Sequence, residues 1–172
     1  MTDLDDLRVH VSRIEARLET AEAVLAIQAL KADYGDILDR RMRHGALVDE
    51  TTLDALADEA AALFTEDAQW DGGPGLGVAR GREEIAARFR RPTLLFARHF
   101  FTKPRIAIDG DHASARWDVL CPCRTGDGRS WWMSGYEDDT YRREGSNWRQ
   151  ASMRLTTLFM AETATGFDPI LG

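Results

Sequence analysis

Leu7, Val11, Ile14, Leu18, Ala21 and Leu25 recur at alternating gaps of four and three residues, with Arg, Glu and Asp filling the positions between them. That spacing predicts a helix with a coiled-coil-like apolar seam. The seam can pack on the chain's own body or on a second copy, and its distance from the chemistry-bearing residues favours subunit contact, as a dimer or trimer. A second helix is expected over AIQALKADYGDILDRR, with Ile27, Leu30, Ile37 and Leu38 as its stripe, and a third runs through TTLDALADEAAALF to Phe64. The glycines of DAQWDGGPGLG mark a loop, and GREEIAARFR reads as a short helix after it.

From His99 the period changes to two. Strands are expected over roughly residues 99–108, 112–123, 130–141 and 148–159, separated by turns at Asp109-Gly110-Asp111, Gly126-Asp127-Gly128 and Glu144-Gly145-Ser146-Asn147. The fold class is therefore α+β, with helices over one face of a curved antiparallel sheet and a cavity at its open end. The chain divides into a leading helix over 1–24, a body over 25–162 and a tail over 163–172. Alternation places Ala113, Ala115, Trp117, Val119 and Cys121 inward, with Ser114, Arg116 and Asp118 outward. Trp132, Ser134 and Tyr136 are assigned inward on the next strand, and Met153, Leu155 and Thr157 on the last, against Arg154 and Thr156 outside.

With 172 residues and 44% hydrophobic composition, the chain forms one domain with a real core. Its 29 acidic against 22 basic residues give a net charge of −7, so a surface that holds phosphate backbones is not expected and nucleic acid is excluded as a partner. The opening MTDLDDLRVH is acidic and its apolar positions are interleaved with charge, so no signal peptide, membrane span or membrane partner is expected and the location is read as cytoplasmic. Cys121 and Cys123 are read as facing opposite sides of a strand, two buried free thiols rather than a disulfide or zinc site. The cluster Gly72-Gly73-Pro74-Gly75-Leu76-Gly77 lacks the lysine of a phosphate loop and is read as a mobile loop placed to gate a pocket. No metal or nucleotide signature appears, and no cofactor is expected.

Three polar residues carry the candidate chemistry: Tyr34 and Asp39 in the helix, and His99 at the start of a strand. A carboxylate that fixes the tautomer of a neutral imidazole makes a general base, and a tyrosine hydroxyl can bind or protonate an oxygen, a combination suited to removing a proton from carbon. Five residues turn a helix through about 140 degrees, so Tyr34 and Asp39 do not share a face and meet only if a pocket wraps the helix. Taken singly, each has an ordinary explanation: Tyr34 as a core aromatic, Asp39 as a solvated charge among arginines, His99 as a satisfied core histidine. Trp70, Phe101, Trp117, Trp132 and Tyr136, with Val119, Cys121, Met153 and Thr157, are the candidate lining for a small hydrophobic substrate, and the aromatics serve equally as core.

The segments AIQALKADYGDILD, LFTEDAQWDG, RHFFTKPRI and GYEDDTYRREGSNWRQASMRLT, in that order, resemble the SnoaL-like branch of the nuclear transport factor two-like superfamily across most of the chain. The resemblance implies a cone-shaped α+β barrel, its sheet wrapped over N-terminal helices. The layout resembles bile-acid dehydratase, whose tyrosine, aspartate and histidine fall at Tyr34, Asp39 and His99, with its proline at Pro104. It resembles lindane dehydrochlorinase at Asp39, His99, Trp70 and the run Asp118-Val119-Leu120-Cys121, although that enzyme carries lysine where this chain has Tyr34. The dehydratase has an acidic residue aligned with Cys121 and an arginine aligned with Thr157, so the resemblance implies a different, less charged substrate here. The implied activity is a cofactor-independent lyase acting on a hydrophobic alicyclic or polyketide-like molecule through the Asp39–His99 pair. Two alternatives stay open: an isomerase or cyclase in which Asp39 itself faces the substrate, and a binding or assembly module without catalysis.

Overall fold

α1 (Asp3–Asp39) is one unbroken helix of 37 residues in a computed structural model that describes residues 3–43, 46–164 and 166–167. The two helices expected on either side of residue 25 are one, because no Gly or Pro falls between residues 3 and 34 and Ala, Leu, Glu and Arg dominate that span. A second stripe, Ala23, Ile27, Leu30, Tyr34 and Ile37, repeats the gaps of four and three and is buried, whereas Leu7, Val11, Ile14, Leu18 and Leu25 of the leading seam are exposed. None of the described helices is long and apolar enough to cross a membrane.

The two-residue strands β1 (Met42–Arg43) and β2 (Ala46–Leu47) pair with each other. α2 (Glu50–Ala61) starts at Asp49, whose carboxylate accepts the Thr52 N–H at 3.0 Å and caps the helix. Then come β3 (Phe64–Asp71), a single helical turn α3 (Gly73–Leu76), β4 (Val78–Arg80), α4 (Gly81–Phe89) and β5 (Leu94–Ala97). The four long strands follow as β6 (Phe100–Asp109), β7 (His112–Thr125), β8 (Ser130–Glu144) and β9 (Asn147–Glu162), within three residues of their expected limits. β3, β4 and β5 were not expected: Glu66 and Asp67 hide the alternation of β3, which exists because it lies parallel to β9, with Trp70 opposite Met153.

The sheet runs in the order β4-β3-β9-β8-β7-β5, with β6 also on β7, and every pairing except β3 with β9 is antiparallel. It curls strongly into a half-barrel around the C-terminal half of α1, the cone expected from the resemblance. Gly135 sits where the β8–β9 register shifts; a β-carbon there would collide with the Thr156 carbonyl, so only glycine fits the bulge.

Three expectations need correction. On β8 the inward series is Met133, Gly135, Glu137, Asp139 and Tyr141; Trp132 is 41% exposed and Tyr136 lies outside under the Arg116 guanidinium, 4.4 Å from its ring centre. Aromatic character suggested the opposite face, but Lys31 of α1 supplies the counter-charge that draws Glu137 and Asp139 in. Cys121 and Cys123 are both buried and line one cavity, because residues two apart on a strand share a face. The glycine cluster is not a plain loop: it holds α3, braced by the Gly72 N–H on the Gly77 carbonyl at 2.9 Å. Much of the expected tail, with residues 165 and 168–172, lies outside the described residues.

Candidate active site

The carboxylate of Asp39, the last residue of α1, accepts the backbone N–H of His99 at 3.1 and 3.2 Å and lies 2.7 Å from its ring Nδ1. A carboxylate at that distance accepts a hydrogen bond from the Nδ1–H, which fixes the tautomer and leaves Nε2 as the basic nitrogen. Arg98 approaches the other carboxylate oxygen at 3.2 Å from solvent. The imidazole stacks on Phe101, with centroids 6.1 Å apart and planes 18° from parallel, so its orientation is set from two sides. Gly35 makes this possible: a β-carbon there would stand 3.1 Å from the Phe101 ring, and its absence lets β6 come close to α1.

His99 and Tyr34 both line a cavity of about 350 Å³ whose wall also draws on α4 and on β7, β8 and β9, a size that suits a small organic ligand. Asp39 is not on its wall. The angular offset between Tyr34 and Asp39 is closed by His99, which carries the effect of the carboxylate round the helix, and not by a pocket that wraps it. Tyr34 is fully buried, and its hydroxyl oxygen accepts the Trp70 Nε1–H at 3.0 Å. Burial, and then the charge of Glu137, push its ionisation well above the usual range, so the hydroxyl keeps its proton. No described residue accepts that proton.

Of the expected lining residues, Trp70, Val119, Cys121, Met153 and Thr157 are on the wall. Phe101 lies against the His99 ring, and Trp117 points inward but belongs to a neighbouring cluster, its Nε1–H donated to the Tyr141 hydroxyl at 3.2 Å. Trp132 and Tyr136 face away, as corrected above. The wall also holds residues the sequence did not single out, among them Met133, Glu137, Leu155, Arg41 and Arg88. A larger groove of about 570 Å³ crosses the outer sheet face, but its charges answer one another, as in the bidentate Arg116–Asp138 pair at 2.7 and 2.9 Å. Among the described residues, no group of His, Cys, Asp and Glu could hold a metal ion.

Residues 19–154 match the model of the SnoaL-like domain. The chain belongs to the SnoaL-like family. No curated protein matches the sequence. Among solved structures, this SnoaL-like chain is similar to a hexachlorocyclohexane dehydrochlorinase, LinA type 3, of Novosphingobium barchaimii, at 21% identity and a TM-score of 0.72, covering 89% of this chain and 99% of that one. It is similar to a candidate scytalone dehydratase of Novosphingobium aromaticivorans at 22% identity and a TM-score of 0.68, over 88% and 95% of the two chains. A third is an NTF2-like protein with a cystatin-like fold from the same organism, at 25% identity and a TM-score of 0.68, over 86% and 89%.

A second ionic arrangement in this SnoaL-like chain adjoins the cavity. Lys31, one turn before Tyr34, donates to Glu137 and, at 2.7 Å, to Asp139, with its Nζ 4.4 Å from the Phe101 ring centre and 5.1 Å from that of Tyr34. Tyr141 donates to the same Asp139 oxygen at 2.8 Å. Burial pulls the Lys31 ammonium down, but the charges of Asp139 and Glu137 more than offset it. Burial raises the Asp139 carboxyl and the charge of Glu137 adds to that; Lys31 opposes, and the net is a carboxyl pushed up to about 6. A signal was present: Lys31 is one of only two lysines, four residues from Ile27 on the buried stripe, and Glu137 and Asp139 stand two apart on a strand.

Proposed function

We propose that this protein is a cofactor-independent lyase that eliminates water or halide from a small cyclic substrate. His99 Nε2 takes a proton from a carbon beside an activating group, the C–H electrons form the new double bond, and the leaving group departs with its bonding pair. Tyr34 donates its proton to a departing hydroxide, or holds an enolate oxygen on the way. The observation that carries this reading is the 2.7 Å contact of Asp39 with Nδ1 of an imidazole whose ring lines the cavity. That Asp39 is off the cavity wall supports His99, rather than Asp39, as the base. Two solved structures with this fold are named as a dehydrochlorinase and a candidate dehydratase, both eliminations.

The test is a panel of cyclic β-hydroxy and β-halo ketones, with products read by mass spectrometry. Loss of water or hydrogen halide is expected, with turnover reduced about 10³-fold in His99→Ala and in Asp39→Asn while both stay folded. Deuterium uptake at carbon without elimination would point to an isomerase or cyclase. Binding with neither exchange nor elimination would leave a binding module.

A further inference from the structure

Two guanidinium groups stand on the cavity wall without a carboxylate. Arg41, just beyond the end of α1, is 7% exposed; its Nε donates to the Leu38 carbonyl at 3.0 Å and one Nη to the Phe89 carbonyl at 3.4 Å. Arg88, in the last turn of α4, donates from Nε to the Leu76 carbonyl at 3.0 Å and from one Nη to the Arg91 carbonyl at 2.9 Å, with its guanidinium 5.8 Å from the Trp70 ring centre. The second terminal nitrogen of each has no partner among the described residues. Because Arg41 reaches the carbonyl of Phe89, the neighbour of Arg88, both cations gather at one end of α4.

Such an arrangement is costly without an anion. Burial pulls the Arg41 guanidinium below its usual value, and the like charge of Arg88 works in the same direction against the pull of Asp39. Several other arginines of this chain meet acids, as Arg116 meets Asp138 and Arg142 meets Asp67 at 2.7 Å. Glu137, the one carboxylate on the wall among the described residues, is already held by Lys31. An oxyanion placed between the two open nitrogens would receive charge-assisted hydrogen bonds from rigid, pre-positioned forks.

We propose that Arg41 and Arg88 form an anion subsite, so that the substrate has an apolar ring body and a carboxylate held where α1 ends against α4. This rests on the cavity being the substrate site, and it replaces the less charged substrate that the missing arginine at Thr157 implied. The carboxylate anchors one end against α4, and the ring body then lies along Trp70 toward Tyr34 and His99.

Calorimetric titration with 1-naphthoate and 1-naphthylmethanol, matched in shape and different in charge, tests it. Naphthoate is expected to bind at least tenfold more tightly, and the ratio to fall below threefold in Arg88→Met and in Arg41→Met; Arg88 is the safer variant, since it is only partly buried. His99→Ala separates the two readings, because it should abolish turnover and keep the ratio. Equal binding of the two probes overturns the subsite and leaves the cavity standing. Failure of both to bind overturns the subsite together with the cavity as substrate site. A ratio that survives both arginine variants, or displacement of naphthoate by an equal concentration of bromide, overturns it as well, the latter by assigning the arginines to a leaving ion.

Discussion

α1 holds two buried ionic arrangements of opposite make-up, eight residues apart. At Asp39, one acid lies between two basic groups, His99 and Arg98; at Lys31, one cation lies between two acids, Glu137 and Asp139. The Lys31 group is nearly closed, its side chains 1%, 5% and 0% exposed with Glu137 alone on the cavity wall, and it carries three formal charges that sum to minus one. The Asp39 group is open on one side, with 14% of the His99 side chain exposed and the ring on a cavity wall. With both of its acids held by Lys31, this group chiefly fixes how α1 sits on β8. A cluster whose imidazole lines a cavity can exchange a proton with a ligand.

Removing a charge should therefore cost stability at one site and turnover at the other. Lys31→Met leaves two buried acids unpaired and should lower the unfolding free energy by about 3–5 kcal/mol in urea titration, whereas His99→Ala should lower it by about 1 kcal/mol or less. Equal losses would make the dyad a structural feature too. The Asp139 carboxyl sharpens this through pH. Its folded value of about 6 lies above the ordinary 3.8, so its stabilising contribution is complete below 3.8 and is lost as pH rises through 6. The loss is read as a fall in urea midpoint between pH 4 and 7 that Asp139→Asn should remove.

The contrast also explains what was legible in the chain. Period-two alternation and paired turn residues are local, and they located β6 to β9 well. Tyr34, Asp39 and His99 stood out through a family pattern, which periodicity alone would not have supplied. The inward face of β8 was misread because it depends on Lys31, more than a hundred residues earlier: without that cation, Trp132 and Tyr136 are the reasonable choice over Glu137 and Asp139. β3 was missed for a similar reason, since its strand exists through parallel pairing with β9 at the far end of the chain. Arg41 and Arg88 have no local signal either, because only the fold brings the end of α1 to the end of α4.

Tyr34 stands between the two groups, 5.1 Å from Lys31 Nζ and on the same wall as His99. Tyr34→Phe should cost about 1–2 kcal/mol, because the buried Trp70 N–H loses its acceptor, and should lower turnover about 10²-fold if the hydroxyl meets the departing oxygen. Since burial and Glu137 hold that hydroxyl protonated, the wild-type rate should show no alkaline limb from it. A Phe variant that loses stability and keeps its rate would assign Tyr34 to the Lys31 group.

The smallest effect is expected at Arg98. Its side chain is 55% exposed, and it reaches Asp39 from solvent at 3.2 Å; exposed pairs of this kind contribute about 1 kcal/mol or less. Asp39 keeps both hydrogen bonds from His99 without it. Arg98→Gln should therefore change turnover less than about threefold, and stability within about 1 kcal/mol. A loss near that of His99→Ala would mean that Asp39 needs both of its basic neighbours, as Lys31 needs both of its acids, and the difference between the two groups would then lie in their degree of access alone.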